Sequence, residues 1–233
     1  MNLRVFDTAE ELSRAAAATL VQRVEEGART IALSGGSTPR PLYEFLSSQH
    51  ADDLARHAIT WVVVDERYVP LDDPQSNAAM IERTLFARGL PPSHRFLRFR
   101  TELGDPAETA RAFEREWRAL GLDTLDVVLL GCGDDGHTAS LFPLTPVLDV
   151  EDRIASEVYV PKLEQWRVTL TKPVLRAAKL RLVLATGASK AKVIREVREG
   201  VPHPVGLVTG GDAETWWLVD RAAVSEPPPD GAK

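Results

Sequence analysis

Cysteine is almost missing from this 233-residue sequence: Cys132 is the single one, and it cannot form an intrachain disulfide. No grouping of cysteine and histidine has the spacing of a zinc site. Apolar runs long enough to cross a membrane are missing as well, and residues 1–7 lack the apolar stretch of a secretory signal. We therefore expect a reduced, cytoplasmic protein without a structural metal.

An excess of positive charge is also missing. The sequence has 28 basic and 34 acidic residues, which gives a net charge of −6 spread along the chain. Nucleic-acid-binding proteins usually carry a basic face, so neither nucleic acid nor a membrane surface is an expected partner. An anionic substrate must instead be held by a few local cations. The hydrophobic share of 44% and the charged share of 27% are typical of a folded domain.

What is present is an alternation of short apolar runs with capped amphipathic stretches. Strands are predicted at residues 3–6, 30–33, 59–64, 126–130, 168–171, 181–185 and 216–219, the last as an edge or closing strand. Helices are predicted after the N-caps Thr8, Ser76 and Asp105, and also from Pro39, near Pro173 and from Ala191. The alternation predicts one α/β domain over residues 1–225, with a Rossmann-like, largely parallel sheet and helices on both faces. The proline-rich residues 226–233 are expected to be disordered.

Four of these strands run directly into polar residues: 31–33, 59–64, 126–130 and 181–185. Ligands of open parallel sheets bind beyond the carboxyl ends of the strands, so the four following segments are expected to form one site.

The first of these segments is Ser34-Gly35-Gly36-Ser37-Thr38-Pro39. Thr38 is predicted as the N-cap of a helix and Pro39 as its first residue, which aims backbone N–H groups at an anion. The segment lacks the lysine of a Walker loop, so a nucleoside triphosphatase is not expected.

The most chemically loaded segment follows residues 126–130 and runs from Gly131 to Pro143, with Asp134, Asp135 and His137 among three glycines. A histidine in this position is suited to proton transfer near neutral pH. The glycine spacing also matches a dinucleotide fingerprint, but two carboxylates there would repel a pyrophosphate. A calcium loop of the EF-hand type is excluded because its later ligands and closing glutamate are missing.

Four motifs, in order over about residues 31–199, resemble those of 6-phosphogluconolactonases. They are Ser34-Gly35-Gly36-Ser37-Thr38-Pro39, Asp65-Glu66-Arg67-x-Val69-Pro70 with Ser76-Asn77, the Gly131–Pro143 segment, and Arg167-x-Thr169-Leu170-Thr171. The resemblance implies the sugar-phosphate isomerase/deaminase-like α/β fold. It also implies hydrolysis of 6-phospho-D-glucono-1,5-lactone to 6-phosphogluconate, the second step of the oxidative pentose phosphate pathway. A small sugar-phosphate lactone is then the partner, and no metal or organic cofactor is required.

The resemblance implies the base and the phosphate ligands, and the chemistry of lactone hydrolysis suggests the other roles. His137 is the expected base, which activates water and returns the proton to the ring oxygen. Arg67 or loop amides are expected to stabilise the oxyanion, and either Asp65 or Asp135 to orient the imidazole. The expected substrate and phosphate ligands are Ser34, Gly35, Gly36, Ser37, Thr38, Asn77, Gly136, Thr138, Arg167 and Lys190.

Two other functions stay open. One is a glucosamine-6-phosphate deaminase or isomerase on the same fold. Against it, Arg67 replaces the tyrosine of the deaminases' Asp-Glu-Tyr motif, and Leu141-Phe142-Pro143 stands where their acidic partner is expected. The other is a non-catalytic sugar-phosphate sensor, which would have no need of His137. Oligomeric state is left open between monomer and homodimer.

Several residues have a structural interpretation instead. Cys132 is expected to be a small buried hydrophobic residue. Most tryptophans are expected to be core or cover, with Trp166 as the one near substrate because it precedes Arg167. The remaining histidines, His50, His57, His94 and His203, are expected at the surface.

Overall fold

Ten strands and eight helices alternate along residues 1–225, the part of the chain that the computed structural model describes. The strands are β1 (Asn2–Phe6), β2 (Thr30–Leu33), β3 (Thr60–Val63), β4 (Asp65–Arg67), β5 (Arg95–Leu97), β6 (Val127–Gly131), β7 (Ala155–Val160), β8 (Gln165–Leu170), β9 (Leu180–Ala185) and β10 (Glu214–Asp220). The helices are α1 (Ala9–Glu25), α2 (Arg40–Gln49), α3 (Ala51–Ala55), α4 (Asn77–Thr84), α5 (Pro106–Ala119), α6 (Lys172–Arg176), α7 (Ala191–Arg198) and α8 (Pro204–Thr209).

Seven strands form one sheet in the order β1-β10-β9-β6-β2-β3-β5, and every neighbouring pair in it is parallel. The central strands are mostly apolar, and all six residues of β9, Arg181 included, are buried, as expected for strands covered on both faces. From β2 the chain continues outward to β3, whereas from β6 it continues the other way to β9. The strand order therefore reverses between the neighbouring strands β2 and β6. In open parallel sheets, ligands bind at such points.

The helices fall into two groups that follow from this reversal. Helix α1 packs against α2, and α2 packs against α4, so the helices of the first half lie together. Helix α5 packs instead against β7 and β8. Crossovers between parallel strands are right-handed, so connections that run in opposite directions along the sheet lie on its opposite faces. The predicted α/β fold with a largely parallel sheet is confirmed.

A second sheet of three antiparallel strands, in the order β4-β8-β7, was not predicted. The sequence analysis places residues 168–171 in the general alternation, but they pair antiparallel with β4 and β7 outside the main sheet. Strand β4 consists of three charged residues, a composition depleted in strands, and β7 lies in a stretch that matches no motif. The pairing of β4 with β8 joins segments about a hundred residues apart, so local pattern does not reveal it.

Helix caps are confirmed at three positions and wrong at a fourth. The side chains of Thr8, Ser76 and Asp105 each accept a backbone N–H bond in the first turn of their helices. Thr38 is not a cap: α2 begins at Arg40, and the cap position is Pro39, which already has helical dihedral angles. The anion-binding turn therefore extends one residue further before the helix starts.

Two further expectations need correction. Strand β10 is not an edge strand but lies between β1 and β9, because β1 pairs alongside it in parallel. His94 is not at the surface: it is buried, with Nδ1 accepting from Trp61 Nε1 at 3.0 Å and Nε2 donating to the Leu54 carbonyl at 3.0 Å. The disorder expected for residues 226–233 lies outside the described residues.

Candidate active site

A cavity of about 280 Å³ opens at the carboxyl ends of β2 and β6, at the reversal of strand order. Every predicted site residue lines it except Asp135 and Gly136, which adjoin His137 in the loop after β6. A larger cavity of about 430 Å³, next to Met1 and residues 197–217, contains none of the predicted site residues. The chemistry that the sequence predicts is therefore concentrated in the smaller cavity.

The loop after β6 turns back on itself and carries the imidazole across its own backbone. Gly133 N donates to the His137 carbonyl at 2.8 Å, and Gly136 N donates to the Gly133 carbonyl at 3.0 Å. The imidazole lies so close to Gly133 that a Cβ atom there would come within 2.0 Å of His137 Nδ1. Glycine at position 133 is thus required for the position of the ring.

One carboxylate and one aromatic ring hold the imidazole. Asp135 Oδ1 lies 2.5 Å from His137 Nδ1 and also accepts the His137 backbone N–H at 3.1 Å. The ring of Phe142 stacks on the imidazole with centroids 4.1 Å apart. Because a carboxylate only accepts hydrogen bonds, Nδ1 carries the proton and Nε2 is the basic nitrogen.

The ionisation of Asp135 follows from its contacts. Burial alone would raise the pKa of Asp135, but hydrogen bonds from His137 and Lys162 outweigh burial and hold this pKa well below its usual range. Asp135 is therefore a carboxylate at neutral pH. A fixed negative charge at Nδ1 stabilises the imidazolium that forms when Nε2 takes a proton.

Asp65 was the alternative prediction for the carboxylate that orients the imidazole, but its contacts are different. It is buried, accepts a 2.6 Å hydrogen bond from Ser140 Oγ, and lies 3.9 Å from Arg167 Nη1. Of the two alternatives, Asp135 is the one in contact with His137.

Two arginines converge on the cavity because β4 pairs with β8. Arg67 and Arg167 are directly opposite each other in this antiparallel pair. Like charges opposite each other destabilise a sheet, and the nearby carboxylate of Asp65 offsets part of this repulsion at Arg167. The Nε atoms of both guanidinium groups are buried without a hydrogen-bond partner in the described chain, and burial lowers the pKa of Arg167.

The loop after β2 contributes backbone donors to the opposite wall. Within residues 1–225, no backbone N–H of residues 35–38 donates a hydrogen bond to another protein group. The buried Tyr43 hydroxyl donates to the Ser34 carbonyl at 2.7 Å and fixes the start of this loop. These unpaired N–H groups precede α2, whose N-terminus adds a positive potential. Lys190 lies at the rim, where it pairs with Asp134.

Asn77 joins the two walls. Its Nδ2 donates to the Asp65 carbonyl at 2.8 Å, while its Oδ1 is buried and has no partner among the described residues. A Cβ atom on Gly35 would lie 1.7 Å from this Oδ1, so glycine at position 35 is what admits the amide. Asn77 therefore presents an unpaired acceptor next to the loop of unpaired donors.

Three supporting residues were given no individual role in the sequence analysis: Glu66, Phe142 and Lys162. Glu66 is buried and accepts the backbone N–H groups of Asn77 and Ala78 at 2.7 and 2.8 Å, which fixes the start of α4. Burial raises the pKa of Glu66, and these hydrogen bonds oppose the rise. Glu66 and Phe142 both lie inside recognised motifs, which was a usable signal. Nothing in the sequence near Lys162 indicates its contact with Asp135.

The described residues also bear on metals and membranes. No group of three His, Cys, Asp or Glu side chains suited to holding a metal ion occurs within residues 1–225. None of the helices in that range combines the length and apolar character needed to cross a bilayer.

Fold and cavity together define an α/β enzyme whose site lies at the carboxyl edge of a parallel sheet. A family model described as "Glucosamine-6-phosphate isomerases/6-phosphogluconolactonase" matches residues 7–217, and the chain belongs to that family.

Several relatives of this chain are named 6-phosphogluconolactonases. The 6-phosphogluconolactonase of Synechocystis sp. is 37% identical over 214 residues, covering 85% of each chain. The 6-phosphogluconolactonase of Homo sapiens is 32% identical over 238 residues, covering 95% of this chain and 92% of the human one. The solved structure of 6-phosphogluconolactonase from Trypanosoma brucei superposes with a TM-score of 0.86 at 29% identity, covering 95% of this chain and 97% of the other. The predicted resemblance is confirmed.

Proposed function

We propose that this chain hydrolyses 6-phospho-D-glucono-1,5-lactone to 6-phosphogluconate, the second step of the oxidative pentose phosphate pathway. One observation carries the proposal: a single cavity holds a carboxylate-bound imidazole and four buried polar atoms without partners in the described chain. Those atoms are Ser34 Oγ, Arg67 Nε, Asn77 Oδ1 and Arg167 Nε. Buried polar groups are normally paired, so these are suited to a polyhydroxylated anion.

The reaction proceeds by proton transfer at His137 Nε2. The imidazole accepts a proton from water as the water oxygen bonds to C1 of the lactone. The carbonyl oxygen takes the negative charge of the tetrahedral intermediate, and Arg67 stabilises it. When the C1–ring oxygen bond breaks, His137 returns the proton to the departing ring oxygen. Asp135 keeps the imidazole in the required tautomer and stabilises its protonated form.

The phosphate is held at the other end of the substrate. Three kinds of group bind it, and all three are usual phosphate ligands. The unpaired N–H groups of residues 35–38 lie before the N-terminus of α2, Arg167 provides a planar guanidinium group, and Lys190 provides a compact positive charge. Lys190 exchanges Asp134 for the phosphate when substrate binds, because Lys190 and Asp134 both line the cavity. Asn77 Oδ1 accepts a hydrogen bond from a sugar hydroxyl, with Gly136 and Thr138 shaping the wall beside it.

The apolar surroundings of the imidazole distinguish this proposal from deamination. The residues where the deaminases' acidic partner is expected are Leu141 and Phe142, both buried, and Phe142 stacks on His137. A carbon-acid reaction would therefore lack its second carboxylate.

The test measures acid release at constant pH from freshly generated 6-phosphogluconolactone, with spontaneous opening subtracted. We expect turnover well above that background, and no ammonia from glucosamine 6-phosphate. Ammonia release would establish the deaminase alternative. Stabilisation by 6-phosphogluconate without lactone turnover would establish the sensor.

A further inference from the structure

A lysine from a different part of the chain contacts the Asp135–His137 pair. Lys162 lies in the turn of residues 161–163 that joins β7 to β8, at the tip of the three-stranded sheet. Its ammonium group donates a hydrogen bond to Asp135 Oδ2, while Oδ1 of the same carboxylate bonds the imidazole. Each carboxylate oxygen therefore has its own partner, with the lysine on one side and the imidazole on the other.

The same ammonium group also lies against the aromatic ring that supports the imidazole. Lys162 Nζ is 4.8 Å from the centroid of the Phe142 ring, on which His137 stacks. Cations are attracted to the face of an aromatic ring. Lys162 thus contacts both groups that hold the imidazole. These are the Asp135 carboxylate at the edge of the imidazole and the Phe142 ring at its face.

The other charged and titratable side chains around this loop are engaged elsewhere. Asp134 pairs with Lys190, and Arg67 donates to the Gln75 carbonyl. Arg167 lies over the Phe142 ring and near Asp65. His203 pairs with Glu196 and lies behind Gly136. Burial raises the pKa of the Cys132 thiol to about 12, so this thiol is neutral. Within residues 1–225, Lys162 is the only cationic side chain that donates a hydrogen bond to Asp135.

We propose that Lys162 is a positioning residue for the catalytic imidazole, an inference that rests on the proposed function. By holding Oδ2 it directs Oδ1 at Nδ1, which keeps Nε2 as the basic nitrogen. Its positive charge also weakens the attraction of Asp135 for a protonated imidazole. Lactone hydrolysis therefore persists to a lower pH than an Asp135–His137 pair alone would allow.

Three variants isolate this effect. Lys162→Met removes the charge but keeps an unbranched chain over Phe142, whereas Lys162→Arg keeps the charge. Lys179→Met is the matched control: Lys179 bonds Asp126 at 2.7 Å, and Asp126, just before β6, also accepts backbone N–H groups. The Lys179→Met variant removes a lysine–aspartate ion pair, as Lys162→Met does. The Lys179 pair lies at the amino end of β6, whereas the Lys162 pair lies beyond the carboxyl end of β6.

The measurement is kcat and KM for the lactone between about pH 5 and 8, where imidazoles titrate. Lys162 is half exposed, so its charge is partly screened by water. In Lys162→Met we expect the acidic limb of the kcat profile to move to higher pH by about 0.2–0.7 unit. KM should stay within about twofold, because the residue does not touch substrate. Lys162→Arg and Lys179→Met should follow the wild type. An unmoved limb in Lys162→Met, or an equal shift in Lys179→Met, overturns the inference.

A titration of the His137 ring by NMR gives a second readout that requires no turnover. The His137 signal is assigned by its loss in His137→Asn, and we expect the same upward shift in Lys162→Met. If the wild type opens no lactone but the ring titration shifts, the proposed function fails while the influence of Lys162 on the imidazole stands. If the wild type is active and neither profile shifts, the inference about Lys162 alone fails.

Discussion

Two histidines of this molecule, His94 and His137, are both fixed by hydrogen bonds, but they differ in whether a ring nitrogen remains without a partner. Both ring nitrogens of His94 are used, one by the indole of Trp61 and the other by a backbone carbonyl. His137 uses only Nδ1, and its partner is a carboxylate. Its Nε2 makes no hydrogen bond within the described chain and lies on a cavity lined by other unpaired polar atoms.

The difference separates a histidine whose two nitrogens both support the fold from one whose contacts suit proton transfer. His94 has neutral partners on both nitrogens, so burial disfavours its charged form and its pKa is lowered. His137 has a negative partner on one nitrogen and an accessible second nitrogen, which is what a proton carrier requires. His94 is buried whereas His137 is partly exposed, and the two also differ in the number and charge of their partners.

The strongest test of the comparison removes the accessible nitrogen. In His137→Asn we expect kcat for the lactone to fall by about 100-fold or more, because the asparagine side chain has no basic nitrogen to take the proton. The melting temperature should change little, since the asparagine amide can still donate to Asp135 and only the stacking on Phe142 is lost. A variant with near-wild-type kcat would remove His137 from the mechanism.

Altering the charged partner should have the next largest effect. Asp135→Asn keeps the shape of the side chain but loses the charge-assisted hydrogen bond to Nδ1. We expect kcat to fall by about 10- to 100-fold. Asp65→Asn is the comparison: it changes the carboxylate that does not contact the imidazole and should leave the His137 ring titration, followed by NMR, as in the wild type. A displaced titration in Asp65→Asn would restore Asp65 as the orienting group.

The opposite pattern is expected at the structural histidine. His94→Phe leaves the buried Trp61 Nε1–H and the Leu54 carbonyl without partners, which should lower the free energy of unfolding by about 1–3 kcal/mol. Steady-state kcat, measured where the variant is fully folded, should equal that of the wild type. Loss of kcat without loss of stability would contradict the division between the two histidines.

The smallest effect concerns acid stability. Because burial lowers the pKa of His94, the unfolded chain binds a proton near its ordinary value of about 6.5 while the folded chain stays neutral. The contribution of His94 is therefore complete above about pH 6.5 and is lost as the pH falls toward its lower folded pKa. Denaturant unfolding at pH 7.5 and 5.5 should show a larger loss for the wild type than for His94→Phe.

Much of the site was predictable because it lies in continuous segments after buried strands. The Ser34–Thr38 loop and the Gly131–Pro143 segment each follow an apolar run, so their convergence follows from parallel pairing alone. The choice between Asp135 and Asp65 depends on side-chain direction. Asp135 bonds both the backbone and the ring of the residue two positions on, whereas Asp65 faces Ser140 across the fold.

The rest depends on contacts between distant segments. His94 stands among proline, serine and arginine, a surface-like sequence, and is buried because Trp61 of β3 provides a donor. Lys162 reaches Asp135 only because β7 and β8 form a hairpin, and β4 is a strand only because β8 lies beside it. No periodicity within either segment encodes these pairings.

The register of that small sheet has one more consequence. Tyr68 N and Leu170 N bond carbonyls across the strand pair, which makes Arg67 and Arg167 a closely spaced pair on the same side of it. The backbone pairing of β4 with β8, rather than either side chain, thus determines how close the two guanidinium groups lie. A slip of one residue along β8 would swing Arg167 to the reverse side of the sheet and separate the two guanidinium groups, with no change in the sequence of either strand.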